Sequence, residues 1–103
     1  GGCIPAIEQI RRAMRGVFEC WDLHEFGPSY ARTLREWRKN FAAAWPRLAG
    51  KKRAGGGVYD ERFRRTWEYY LATCEGAFQG GHISVGQFVL AREKKPADYR
   101  PVR

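Results

Sequence analysis

The stretch Phe26-Gly27-Pro28-Ser29-Tyr30-Ala31-Arg32-Thr33-Leu34-Arg35-Glu36-Trp37 joins a strand exit to a helix start. Gly27-Pro28-Ser29 makes a turn, and proline suits the first turn of a helix, where its missing N–H has no intrahelical partner. From there Tyr30, Leu34, Trp37, Phe41, Trp45 and Leu48 recur at three- and four-residue steps, so one apolar stripe runs over several helical turns. The opposite face carries Arg32, Arg35, Lys39 and Arg47, which predicts contact with solvent or with an acidic surface. Pro46 and Gly50 both disfavour continuation, so the helix is expected to end between them.

Working outward, the run from Val17 to Glu25 alternates Val17, Glu19, Trp21 and Leu23 with Phe18, Cys20, Asp22 and His24, which predicts a strand. Before it, Ile7, Ile10 and Met14 share one face of a short helix that begins with Pro5 in its first turn and ends near Gly16. Downstream, residues 50–57 contain no apolar side chain larger than alanine and read as a flexible loop. A second long helix follows from Asp60 as N-cap, with Phe63, Trp67, Tyr70, Leu71, Cys74 and Phe78 on one stripe and Gly80-Gly81 as its stop. Ile83 to Ala91 reads as a buried strand, and residues 94–103 as a disordered tail. The outline is mixed α and β: two strands flanking a long helical hairpin. A two-stranded ribbon is marginal by itself, so both strands are expected to complete a larger sheet.

With 103 residues there is room for one modest core, and 44% apolar with 15% aromatic residues argue against disorder. A net charge of +8 predicts affinity for anionic surfaces, phospholipid and nucleic acid alike. Cys3, Cys20 and Cys74 are odd in number and widely spaced, which points to reduced packing residues and to neither a disulfide framework nor a zinc site. There is no signal-like start and no apolar run near the ~20 residues that span a bilayer, so a soluble, cytoplasmic chain is expected. The chain opens on Gly1-Gly2-Cys3 and its one methionine is Met14, from which missing upstream residues are expected.

Gly1-Gly2-Cys3-Ile4-Pro5, Phe26 to Trp37, Ala42-Ala43-Ala44-Trp45-Pro46, Tyr59-Asp60-Glu61-Arg62-Phe63, Trp67-Glu68-Tyr69-Tyr70-Leu71 and Gln87-Phe88-Val89-Leu90 follow one another in an order that resembles the C-terminal part of the cyclopropane-fatty-acyl-phospholipid synthase and mycolic acid cyclopropane synthase family. The loop from Lys51 to Gly57 is longer than usual for that pattern, and the tail after Glu93 is not recognisable in it. The resemblance implies an α/β, Rossmann-like methyltransferase fold of which residues 1–103 are the C-terminal part, the cofactor-binding half being absent. It implies S-adenosylmethionine as a cofactor held by upstream residues, and an enzyme inactive as this piece alone. The expected partners are unsaturated phospholipid at the inner face of a membrane and the missing N-terminal methyltransferase segment, with a homodimer left open.

The resemblance also matches Tyr30 to a tyrosine that helps hold bicarbonate. In the implied reaction an acyl-chain alkene attacks the sulfonium methyl, a carbocation forms, and bicarbonate removes a proton so that the ring closes. A phenol is neutral at pH 7 and donates a charge-assisted hydrogen bond to an anion. From the residues alone, Tyr30 reads first as a core aromatic at the head of its stripe with a satisfied hydroxyl. His24 and His82 have no second ligand at metal spacing and read as surface or strand-face histidines. Residues 50–57 lack the Lys-Ser or Lys-Thr pair of a phosphate-binding loop. The arginine faces fit either solvent or phospholipid head groups, with Glu36, Glu68 and Glu75 partly neutralising them. Two other classes stay open: a basic nucleic-acid-binding module, which requires aromatics free to stack, and a non-enzymatic partner subunit that completes another chain's sheet.

Overall fold

The computed structural model describes residues 2–103; Gly1, which begins the Gly-Gly-Cys-Ile-Pro opening, lies outside the described residues. The elements are α1 (Ile7–Met14), β1 (Glu19–Glu25), α2 (Gly27–Leu48), α3 (Glu61–Gln79) and β2 (Gly86–Ala91), divided between two compact units. One unit holds α1, the β1–β2 ribbon and the C-terminal tail. The other, Phe26–Val85, holds the hairpin of α2 and α3.

In the ribbon unit, Pro5 precedes α1, whose N-cap is Ala6, and the Gln9 side chain accepts from the Ala6 N–H at 2.7 Å. That bond satisfies a donor that proline at the cap would have lacked. Met14 is the buried residue of α1, and its carbonyl accepts from both Val17 and Phe18 N–H at 3.0 Å. Those two bonds hold Val17 and Phe18 in the helix exit, so β1 begins two residues later than the alternation predicts. β1 pairs antiparallel with β2, from Glu19 opposite Ala91 to Glu25 opposite Gly86. Trp21 is an extra residue in β1, a bulge between the Cys20–Leu90 and Asp22–Val89 pairs. Its indole N–H donates to the Glu93 carbonyl at 2.8 Å and its ring meets Tyr99 edge-on at 5.3 Å, while Arg103 pairs with Asp22 at 2.7 Å. The tail expected to be disordered is therefore irregular but pinned to β1 by side chains.

β2 is shorter than the apolar run from Ile83 predicts, and it is not buried: Val89 and Leu90 stay exposed. Ile83 and Val85 pack instead on the hairpin core of Ala31, Leu34, Leu71 and Phe78. An apolar run signals burial without naming its partner, and here it is shared between two units.

The hairpin forms as its stripes dictate. Pro46 lies inside α2, two residues before its end, where a missing N–H costs a single bond to the preceding turn. Asp60 caps α3 by accepting from Phe63 N–H at 2.8 Å. Residues 50–57, expected to be a flexible loop, have a defined hydrogen-bonded backbone. Gly50 N–H donates to Tyr59 O at 2.8 Å, Tyr59 N–H to Lys51 O and Arg53 N–H to Gly57 O at 2.9 Å, and Lys52 bridges Val58. Gly56 and Gly57 make this turn at φ of 97° and 76°, where a side chain would be strained. Backbone bonds supply the order that the side chains lack.

At the other end Gly27 is buried, and Phe26 N–H donates to Val85 O at 2.9 Å. A Cβ on Gly27 would come within 2.8 Å of Ser84 Oγ and 3.1 Å of Ser84 Cα. Gly27→Ala is expected to destabilise the protein by about 1–3 kcal/mol through overpacking, and Leu34→Ala by about 2–5 kcal/mol through a cavity in the seam. Urea unfolding of the purified variants checks both values.

Candidate functional site

Tyr30 stands in the first turn of α2, its N–H donating to Phe26 O at 3.0 Å. The ring is half-buried, edge-on to Phe78 at 5.0 Å and to Trp37 at 5.9 Å. Its hydroxyl forms no hydrogen bond with another described residue and is not sealed from solvent. The ring of Tyr30 thus packs on the core, as the core reading expects, while its hydroxyl has no protein partner among the described residues.

From Tyr30 an aromatic face continues along the hairpin. Phe41 meets Phe63 across the two helices at 6.5 Å, Trp45 stacks on Phe63 at 6.4 Å, and Phe63, Trp67 and Tyr70 follow at 6.1 and 5.5 Å. The rings touch one another without being covered: Trp37 is 48% exposed, Trp67 42% and Tyr70 54%. Periodicity placed all three on the stripes. Two packed helices bury only the strip between them, however, and these rings flank it.

The other flank is ionic. Glu75 is buried, 7% exposed, between Arg35, whose Nε–H donates to it at 2.8 Å, and Arg38 at 3.0 Å. Arg35, expected on the solvent face, is therefore an interhelical residue whose partner lies 40 positions away. The readable signal was Glu75 itself, one turn from Leu71 on an apolar stripe, where a carboxylate requires a cation. The Arg35 hydrogen bond holds the Glu75 carboxyl below its ordinary range against the opposing effect of burial, with Arg38 adding to it. On α3, Arg64 reaches both Glu61 and Glu68, and this bond is the main cause that lowers the Glu61 carboxyl. A groove of about 730 Å³ beside Glu75 is lined by Arg35, Arg38, Lys39, Arg65, Glu68 and Tyr69.

The histidines are dispersed. His24 is half-buried on β1 opposite Gln87, whereas His82 is exposed after α3. Cys3, Cys20 and Cys74 are free thiols, and no three His, Cys, Asp or Glu among the described residues could hold a metal ion. Gly27, at the strand-to-helix turn, has its Cβ side filled by Ser84. No helix among the described residues is long and apolar enough to cross a membrane.

The hairpin thus carries one partly exposed aromatic face with a phenol at its head. Residues 1–88 match the model of the mycolic acid cyclopropane synthetase family, and the chain belongs to that family. It is 40% identical over 91 residues to a cyclopropane-fatty-acyl-phospholipid synthase of Escherichia coli (strain K12), covering 88% of this chain and 22% of that protein. It is 41% identical over 102 residues to a tuberculostearic acid methyltransferase of Mycobacterium tuberculosis, covering 93% and 22%. A Citrobacter freundii sequence bearing the cyclopropane-fatty-acyl-phospholipid synthase name is 36% identical over 86 residues, 84% of this chain and 89% of its own length. The chain thus spans about a fifth of the E. coli and M. tuberculosis relatives.

Because the Glu75 carboxyl is depressed in the folded protein, its contribution to stability is complete above the ordinary carboxylate range and is lost as pH falls through the folded value. Glu75→Gln is expected to lower the thermal midpoint at pH 7 and to shrink the drop between pH 7 and pH 3. Melting curves of both proteins across that interval check it.

Proposed function

We propose that this chain is part of an S-adenosylmethionine-dependent methyltransferase that transfers a methylene or methyl group to the double bond of unsaturated phospholipid acyl chains. The observation that carries the reading is the family match over residues 1–88, which includes Tyr30. Phospholipid as substrate is supported by the name of the E. coli relative. A methyl-branched product is the second reading, supported by the 41% identity to the tuberculostearic acid methyltransferase. The two share the methyl transfer and differ in whether a ring closes afterwards.

In this reading S-adenosylmethionine supplies the methyl group and is held by residues outside the chain. Tyr30 would hold bicarbonate by donating a hydrogen bond from its hydroxyl, and the Phe78 and Trp37 rings pack against its ring. One phenol supplies a single hydrogen bond, so other donors come from the upstream segment. β1 and β2 each have one strand partner among the described residues, leaving two open edges where a larger sheet could continue. Trp37, Trp67 and Tyr70 offer apolar surface on the side of Tyr30, suited to exclude water from an acyl chain. The enzyme works at the inner face of the membrane, where its substrate lies.

The test is transfer of labelled methyl from S-adenosylmethionine to unsaturated phospholipid by the complete natural polypeptide, with the product resolved by mass. Transfer to unsaturated but not to saturated lipid is expected, and its absence would overturn the reading. Tyr30→Phe is expected to lower turnover about 10- to 100-fold, that is ~1.4 to 3 kcal/mol in the barrier, with an unchanged melting curve. Turnover equal to the parent would remove Tyr30 from the site.

A further inference from the structure

The end of the hairpin where α2 gives way to α3 concentrates unpaired positive charge. It carries Lys51-Lys52-Arg53, the one run of three consecutive cations in the chain, with Arg47 in the last turn of α2 and Arg62 in the first turn of α3. The acids nearby are engaged: Asp60 caps α3, and Glu61 pairs with Arg64 and Arg65. Arg47, Lys51, Lys52 and Arg62 are exposed and form no ion pair with a described residue. Arg53 lies over the Phe63 ring, 5.2 Å from its centre, which keeps its guanidinium on the protein surface.

Apolar groups accompany these cations. Val58, opposite Lys52 in the turn, is 43% exposed, and Trp67 is 42% exposed. With Phe63, Arg53 and Arg62 they line a groove of about 560 Å³. Cations with an aliphatic and an indole side chain beside them suit a bilayer interface, where lysine and arginine sit among head groups while valine and tryptophan reach the acyl boundary.

We propose that the α2–α3 turn docks on the surface of an anionic phospholipid bilayer. Arg47, Lys51, Lys52 and Arg62 meet the head-group phosphates, and Val58 and Trp67 enter the interface beneath them. The backbone hydrogen bonds of residues 50–57 hold this tip in shape, and its glycines keep bulk away from the membrane. The proposal adds a docking surface to the lipid-modifying reading above and rests on that reading only for its purpose.

The complete natural polypeptide is sedimented with vesicles of saturated phosphatidylglycerol or saturated phosphatidylcholine, which contain no double bond to modify. Salt-sensitive binding to phosphatidylglycerol alone is expected. At about fivefold per charge, Lys51→Gln/Lys52→Gln/Arg62→Gln is expected to weaken it roughly 100-fold. Lys51→Arg/Lys52→Arg and, outside this turn, Lys94→Gln/Lys95→Gln are expected to bind within about twofold of the parent, all with unchanged circular dichroism. Absence of parent binding, equal binding of the glutamine triple variant, an equal loss from Lys94→Gln/Lys95→Gln, or tighter binding to an oligonucleotide at the same salt would each overturn the proposal. Docking without methyl transfer would overturn the functional reading alone, and transfer without this docking would overturn the proposal alone.

Discussion

Two helices laid against each other can bury only the strip along which they touch, and the arrangement of the hairpin follows from this limit. Ala31, Leu34, Leu71 and Phe78 fill the strip. The residues immediately beside it are half in and half out of water, so each flank needs its own chemistry. On one flank aromatic rings touch one another and stay partly exposed. On the other, two guanidinium groups bracket one carboxylate. Ala31 is small enough for α3 to come close, and the hydrophobic strip then brings Glu75 within reach of Arg35 and Arg38. An unpaired carboxylate at that position would oppose helix packing, which ties the ionic flank to the apolar seam.

The same limit explains which features were legible in the sequence. The helices could be read from Tyr30, Leu34, Phe41 and Trp45, and from Phe63, Leu71 and Phe78, because a long 3.6-residue period is a local signal. Asp60 marked its cap for the same reason. Burial along the stripes was not readable, since the exposure of Trp37 and Tyr70 depends on how much surface the second helix covers. The Arg35–Glu75 pair was hidden by its separation in sequence. Ile83 and Val85 read as strand because their apolar character does not say that they belong to the hairpin core.

Tyr30 is a different case. Its position at the head of a helix is a matter of local pattern, and the packing of its ring on Phe78 is the consequence of α3 folding back. A role in holding an anion could not be read from either, because one phenol does not define such a site. That assignment came from resemblance to a family. The structure adds that the hydroxyl of Tyr30 has no protein partner among the described residues. The carbon atoms of a residue can thus belong to the core while its oxygen makes no bond within it.

The bulge at Trp21 bears on the fate of the ribbon when nothing adjoins it. An edge strand with an uninterrupted register is a template on which identical chains can stack, and exposed Val89 and Leu90 would favour such stacking. The extra residue breaks the repeat in the middle of β1, and Glu19, Asp22 and Glu25 would bring like charges together along β1 in an in-register stack. A nascent or isolated chain is thereby discouraged from seeding aggregates while its edges remain available to a strand of the right shape.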